Sequence, residues 1–271
     1  MAGRELTSLR SPRVKAARRL AKRAFRRRER RFLAEGPQAV REALATPGGL
    51  AELFTTAEAE TRHADLVLAA ERAGVPVLRV SGEVMAELAQ TVTPQGLLAV
   101  CEFLDVGLDA ALASGPRLVT VLAHVRDPGN AGTVLRTADA AGSESVVFTD
   151  ASVDPYNGKC VRASAGSLFH LPVVVGPRFG DLISELKGAG LTVLAADGAG
   201  ERTLDDAMDG GLLAKPTAWV FGNEAWGLPD EILQHVDEVV RVPIHGRAES
   251  LNLATAAAVC LYASAREQRR T

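Results

Sequence analysis

Apolar residues recur along this chain in two registers, and their alternation predicts its architecture. Val14, Ala17, Leu20, Ala21, Ala24 and Phe25 fall at helical spacing behind Ser11-Pro12, a pair suited to capping and starting a helix, with arginines on the other side. Phe32-Leu33-Ala34 predicts a short strand, Glu35-Gly36-Pro37 a turn and residues 38–45 a helix. Strands at 53–55, 77–80 and 97–103 then alternate with helical stretches near 63–73 and 83–88. Small residues and two glycines make 105–116 a linker, and a second alternating series follows. Its strands are placed at 119–124, 145–149, 172–175, 191–196, 218–221 and 238–242, and a long helix at about 251–269 closes the chain. The expected division is a first α/β domain with a basic arm over 1–104, the linker, and a second α/β domain over 117–271. No internal repeat interrupts it.

The 271 residues are 47% hydrophobic and 24% charged, ordinary globular usage, but the net charge of −2 conceals an asymmetry. Residues 1–31 hold thirteen lysines and arginines against two glutamates, a net +11, so the remainder carries −13. A basic arm on an acidic body suits a polyanionic partner, because cations that contact phosphates release counterions; a solvated helix face is the alternative. Arg18, Arg19, Lys22, Arg23, Arg26 and Arg27 are the expected nucleic-acid contacts. Cys101, Cys160 and Cys260 form no CxxC pair, which argues against a disulfide framework and a cysteine zinc site and for a reducing, cytoplasmic setting. His63, His124, His170, His235 and His245 lack metal-ligand spacing, so no metal is expected. No run approaches the ~20 apolar residues that span a bilayer, and no membrane association is expected.

Three segments carry candidate chemistry. The first runs from His124 through Asp127-Pro128-Gly129-Asn130-Ala131-Gly132 to Arg136, a strand, a turn and a helix with Asn130 expected at the N-cap and Arg136 in the second turn. The second is Gly222-Asn223-Glu224-Ala225-Trp226-Gly227, where two glycines flank a carboxylate, suiting either close backbone approach to a ligand or a structural turn. The third is Gly246-Arg247-Ala248-Glu249-Ser250-Leu251-Asn252, in which Ser250 and Asn252 equally suit a helix cap.

In this order the three blocks resemble the motifs of the SpoU (TrmH-like) family of RNA ribose 2'-O-methyltransferases: N-x-G-x-x-x-R, G-x-E-x-x-G and G-x-x-x-S-L-N. The resemblance is close over 117–271 and looser before it, where Leu6-Thr-Ser-Leu-Arg-Ser-Pro-Arg-Val-Lys15 and Phe32-Leu-Ala-Glu-Gly36 are similar to an L30e-like substrate-binding domain. It implies an N-terminal L30e-like α/β/α domain and a C-terminal SPOUT α/β domain with a trefoil knot, assembled as a homodimer through that domain. Periodicity alone gives an open doubly wound sheet.

The resemblance also implies S-adenosylmethionine as cofactor, held by Asp197, Gly222, Asn223, Gly227, Val242, Ile244 and Leu251. Glycine at 222 would let main-chain groups reach the nucleoside, and Leu251 would pack against adenine. Arg136 is the family's catalytic arginine. A guanidinium keeps its proton in proteins, so a clamp on the adjacent phosphate and the developing alkoxide suits it better than the role of general base. Asn130 and Asn252 would fix the ribose and cofactor loops, Glu224 would orient Asn130 or loop amides, and Ser250 would bond the substrate phosphate or Arg136. His245, though among motif residues, suits a loop surface, Trp219 a strand core and Trp226 a loop.

Other functions are less well matched. A nicotinamide dehydrogenase would need G-x-G-x-x-G after a strand, and Gly198-Ala199-Gly200 is followed by Thr203 at the third position. A non-catalytic RNA-binding relative would tolerate loss of Arg136, Glu224 or Asn252, all of which are present. The basic arm suits a large folded substrate, which places ribosomal RNA (23S) ahead of transfer RNA.

Overall fold

The computed structural model describes residues 5–223 and 226–270. The chain divides into two compact units, Met1–Leu104 with Tyr156–Phe169, and Asp105–Pro155 with His170–Thr271.

The basic segment of the first unit folds as two helices, α1 (Pro12–Arg19) and α2 (Arg23–Glu29), where the apolar spacing predicts one. Pro12 opens α1, and Ser11 precedes it without a side-chain capping bond. Arg26 holds the break between them. It is buried, and its guanidinium donates to the carbonyls of Leu20 and Ala21 at 2.9 and 2.8 Å, satisfying groups that the end of α1 leaves without helical partners. Arg26 is therefore a structural residue and not the surface RNA contact expected from charge. Val14, Ala17 and Leu20 are buried in a core with Phe54, Val84 and Leu98, so α1 is a wall of the unit.

After α2 come β1 (Arg31–Glu35), α3 (Pro37–Ala45), β2 (Leu50–Thr55), α4 (Ala57–Arg62), α5 (Ala64–Arg72), β3 (Val77–Arg79), α6 (Gly82–Leu88) and β4 (Leu97–Glu102). The sheet order is β1-β4-β2-β3, with β4 antiparallel to β1 and β2, and β2 parallel to β3.

The second unit opens with α7 (Leu108–Leu112), so the stretch expected to be a linker contains a helix. β5 (Leu118–Leu122), α8 (Pro128–Ala141) and β6 (Ser145–Phe148) follow. Asp127, not Asn130, is the N-cap of α8: its Oδ1 accepts from the Asn130 amide at 2.8 Å, and Pro128 supplies a φ already suited to the first helical position. Starting there, the helix carries Arg136 in its third turn. The chain next contributes Tyr156–Phe169, including α9 (Gly158–Ala163), to the first unit. There Tyr156 stacks on Phe103 with ring centroids 3.8 Å apart, and its hydroxyl accepts from the Leu104 amide at 2.8 Å. Phe32 lies 4.8 Å from Tyr156 and 5.9 Å from Phe169, ring to ring.

β7 (Val173–Val175), α10 (Phe179–Gly188), β8 (Thr192–Ala196), β9 (Arg202–Thr203), α11 (Leu204–Asp209), β10 (Thr217–Phe221), α12 (Asp230–Leu233), β11 (Glu238–Arg241) and α13 (Leu253–Arg270) complete the second unit. Its seven strands are parallel in the order β7-β6-β5-β10-β8-β11-β9. Every residue of β5 and β10 is buried, as continuous apolar runs in a sheet covered on both faces require. Trp219 is in this core, its indole N–H donating to Ser264 of α13 at 2.8 Å. Among the described residues no helix is long and apolar enough to cross a membrane, and no group of three or more His, Cys, Asp or Glu is placed to hold a metal ion.

Candidate functional site

The loops that leave the carboxyl ends of β8, β10 and β11, together with the segment entering α13, enclose a cavity of about 340 Å³. Ligands of open parallel sheets bind at this edge, where strand ends present backbone polar groups and loops of free length. Asp197 lines it after β8; Gly222, Asn223 and Gly227 after β10; Val242 and Ile244 after β11; and Leu251 before α13. All seven residues expected to hold a cofactor thus surround one space. Gly198 of the β8 loop and Trp226 and Glu249 of the second and third blocks also line it, as do Leu253 and Ala256, which carry no signal of their own in the sequence.

Hydrogen bonds tie these loops together. The Asp197 carboxylate accepts from the Ala199 amide at 2.9 Å with one oxygen and from the Leu228 amide at 3.2 Å with the other, joining the β8 and β10 loops. Asn223 and Gly227 exchange backbone bonds of 2.8 and 2.9 Å that close the β10 loop on itself. The two glycines answer to that closure. A Cβ on Gly222 would stand 2.5 Å from the Gly227 carbonyl oxygen, and one on Gly227, whose φ is +68°, would stand 2.5 Å from Asp197 Oδ2. The geometry displays the structural turn, and because both glycines also line the cavity it does not displace close backbone approach to a ligand.

Asn223 Nδ2 donates to the carbonyl of His124 at 3.1 Å, fastening the β10 loop to the loop before α8. His124 has φ of +60°, a left-handed conformation uncommon outside glycine, and its ring meets Trp226 edge-on at 5.6 Å. Asn252 Oδ1 accepts from the Ala254 amide at 2.9 Å and caps α13, while its Nδ2 donates to Asn130 Oδ1 at 3.2 Å. The first and third sequence blocks therefore meet. Ser250 is exposed and lines the cavity, and Glu224 lies outside the described residues. Arg136 is exposed, does not line the cavity, and its side chain makes no hydrogen bond or ion pair among the described residues.

β8 and β11 are also joined at their other ends. Asp237 accepts from the Val193 amide and the Lys187 ammonium, both at 2.8 Å. Partial burial pushes the Asp237 carboxyl upward, but the ammonium and the amide together outweigh it and leave it below the usual carboxylate range.

Residues 117–262 match the SpoU rRNA Methylase family, and residues 11–99 match the MRM3-like substrate binding domain. The chain belongs to the SpoU rRNA methylase family. A relative from Bacillus subtilis (strain 168), the 23S rRNA (guanosine(2553)-2'-O)-methyltransferase RlmP, is 34% identical over 263 residues, covering 96% of this chain and 98% of the relative. The 23S rRNA (guanosine-2'-O-)-methyltransferase RlmB of Bordetella pertussis is 34% identical over 228 residues, 82% of this chain and 91% of that protein. Among solved structures, an AdoMet-bound rRNA methyltransferase from Sinorhizobium meliloti superposes with a TM-score of 0.82 at 31% identity, covering 97% of each chain. The likeness to these relatives thus extends over both units.

Proposed function

We propose that this chain transfers a methyl group from S-adenosylmethionine to a ribose 2'-hydroxyl of 23S ribosomal RNA, acting as a homodimer in the cytoplasm. The observation that carries the proposal is the cavity at the strand ends, lined by the second and third sequence blocks and the β8 and β11 loops, with the first block tied to the third through Asn130 and Asn252. Its chemistry fits the cofactor: Val242, Leu251, Leu253 and Ala256 give an apolar side for an adenine, and the loop backbone at Gly198, Gly222 and Asn223 gives polar groups for a nucleoside. When bound, the cofactor supplies a methyl on an electrophilic sulfonium. The trefoil knot belongs to the same proposal, supported by the way loops from neighbouring strands crowd on one another around the cavity.

The chain's own task is alignment and charge control. As the ribose oxygen bonds to the methyl carbon and the carbon–sulfur bond breaks, the hydroxyl proton must leave and negative charge grows on oxygen. Arg136, as a charged planar fork, would clamp the neighbouring phosphate and stabilise that charge without giving up its proton, and water would take the hydroxyl proton. Asn252 and Asn130 would hold the start of α8 against the cavity loop, and Ser250 would bond the phosphate.

Arg136 lies six residues beyond Asn130, about 9 Å along the axis and turned well away from it. That placement supports a site completed by a second copy, as do the exposed Val259 and Tyr262 of α13. A transfer assay with tritium-labelled cofactor on 23S rRNA, followed by mapping of ribose methylation in RNA from cells with and without the protein, tests the reaction. Incorporation into 23S rRNA with a single site lost in the deletion strain is expected. RNA binding without incorporation would assign the chain to the non-catalytic class.

A further inference from the structure

Between α1, α2 and the sheet of the first unit lies a second cavity, of about 310 Å³, that the methyl-transfer reaction does not use. Ala17, Leu20, Phe25 and Val100 line it on the apolar side, and Arg13, Arg19, Arg28 and Arg31 line it together with Glu52 and Glu29, which pair with Arg13 and Arg28 at 2.7 Å and leave Arg19 without a carboxylate partner among the described residues. Phe25 is only half-buried and stands apart from the apolar core that takes in Val14, Ala17 and Leu20. What holds its ring is cationic: the Arg28 guanidinium carbon lies 4.7 Å from the ring centroid and that of Arg19 5.5 Å. Both arginines are solvent-exposed. The result is an aromatic ring with two guanidinium cations against it, lining a pocket of mixed apolar and charged walls inside a segment carrying a net +11.

A surface that gripped only phosphates would need the cations but neither the pocket nor the ring. Unpaired bases need all three, because a base stacks on aromatic and guanidinium planes while its flanking phosphates pair with nearby cations. We propose that this pocket takes one unpaired nucleobase of the RNA, stacked on the platform of Phe25, Arg19 and Arg28, with Arg18, Arg23 and Arg27 engaging the adjoining phosphates. The proposal rests on the reading that the substrate is RNA. It adds that the substrate domain reads a single-stranded or bulged element, where a basic face by itself would suit a duplex.

The test compares two probes on the full chain: a 12-nucleotide oligoadenylate carrying one 2-aminopurine, and a blunt 12-base-pair RNA duplex. The wild type should change the 2-aminopurine emission on binding. Phe25→Leu, which keeps the apolar bulk, should weaken oligoadenylate binding by about 5- to 100-fold, the size of one base–aromatic stack, without altering the salt slope or the duplex affinity. The double variant Arg19→Lys, Arg28→Lys changes only exposed side chains and keeps the charge. It should show the same selective loss, and it carries the test if the leucine variant unfolds. Equal losses on both probes, or no loss on oligoadenylate, would overturn the proposal. Unaltered oligoadenylate binding in variants whose wild type methylates 23S rRNA would remove the base pocket and leave the reaction standing. Selective loss without any methyl transfer would do the reverse.

Discussion

Asn252 donates from Nδ2 to Asn130 Oδ1 at 3.2 Å while its own Oδ1 caps α13, so one side chain both starts a helix and bridges two blocks 122 residues apart. The two duties separate by substitution. Serine caps a helix as well as asparagine but is too short to reach Asn130. Asn252→Ser should leave Tm within about 2 °C of wild type and lower turnover by about tenfold, the worth of one positioned hydrogen bond. A parallel fall in Tm and activity would mean that the cap alone matters.

Arg136 distinguishes a clamp from a base. If a planar, permanently charged fork is required, Arg136→Lys should fail nearly as badly as Arg136→Ala, with turnover down by roughly 10²–10³ and cofactor affinity unchanged. Single-turnover rates of the lysine variant across pH about 6 to 10 decide the matter, since lysine sheds its proton within reach of that range. Recovery toward wild type at alkaline pH would identify a base.

The basic segment can be probed without deleting it, which would strip Val14, Ala17 and Leu20 from the core. Arg18→Gln, Arg23→Gln and Arg27→Gln change exposed residues, and each phosphate thereby left unneutralised should reduce the slope of log affinity against log salt by about 0.7–0.9. Arg26→Gln should behave differently. It leaves the Leu20 and Ala21 carbonyls without their charged donor, at a cost of about 1–3 kcal/mol in stability, with little change in the salt slope. Thermal melts beside binding titrations check both outcomes.

Asp237→Asn should weaken the fold in a pH-dependent way. The carboxyl titrates lower in the folded protein than in the unfolded chain, so its contribution is present above the unfolded value near pH 4 and fades as pH falls through the folded one. The partly exposed pair with Lys187 is worth at most about 1 kcal/mol. Denaturation midpoints of the two proteins should differ at pH 7 and converge below about pH 4; a constant offset would point to packing.

Six of the seven parallel strands are legible as mainly apolar runs, as at 118–122 and 217–221, whereas β9 (Arg202–Thr203) has no such run, and most cavity residues are legible because the second and third blocks, with functional spacing, follow such strands. Other features left no local mark. Nothing between Arg19 and Arg23 announces a break, since neither glycine nor proline occurs there; the break depends on Arg26 folding back onto α1, and an arginine in a basic tract reads as surface. Asp127 and Asn130 are both good caps, and only the placement of Pro128 decides between them. The glycines at 222 and 227 fit two explanations in sequence, and the turn shows only in the close approach of Gly227 O and Asp197 Oδ2, which no local pattern encodes.

Because Tyr156 and Phe169 pack with Phe32 and Phe103, the first unit cannot finish folding when its last strand leaves the ribosome. About 65 further residues must be translated before the segment ending at Phe169 exists, a delay of about 3–13 s at ordinary elongation rates. During that interval a cationic, half-closed nascent domain with bare aromatic rings would sit beside ribosomal RNA. Translation thus couples the maturation of the two units, and expressing residues 1–104 alone should yield a chain that aggregates through the face those rings leave open.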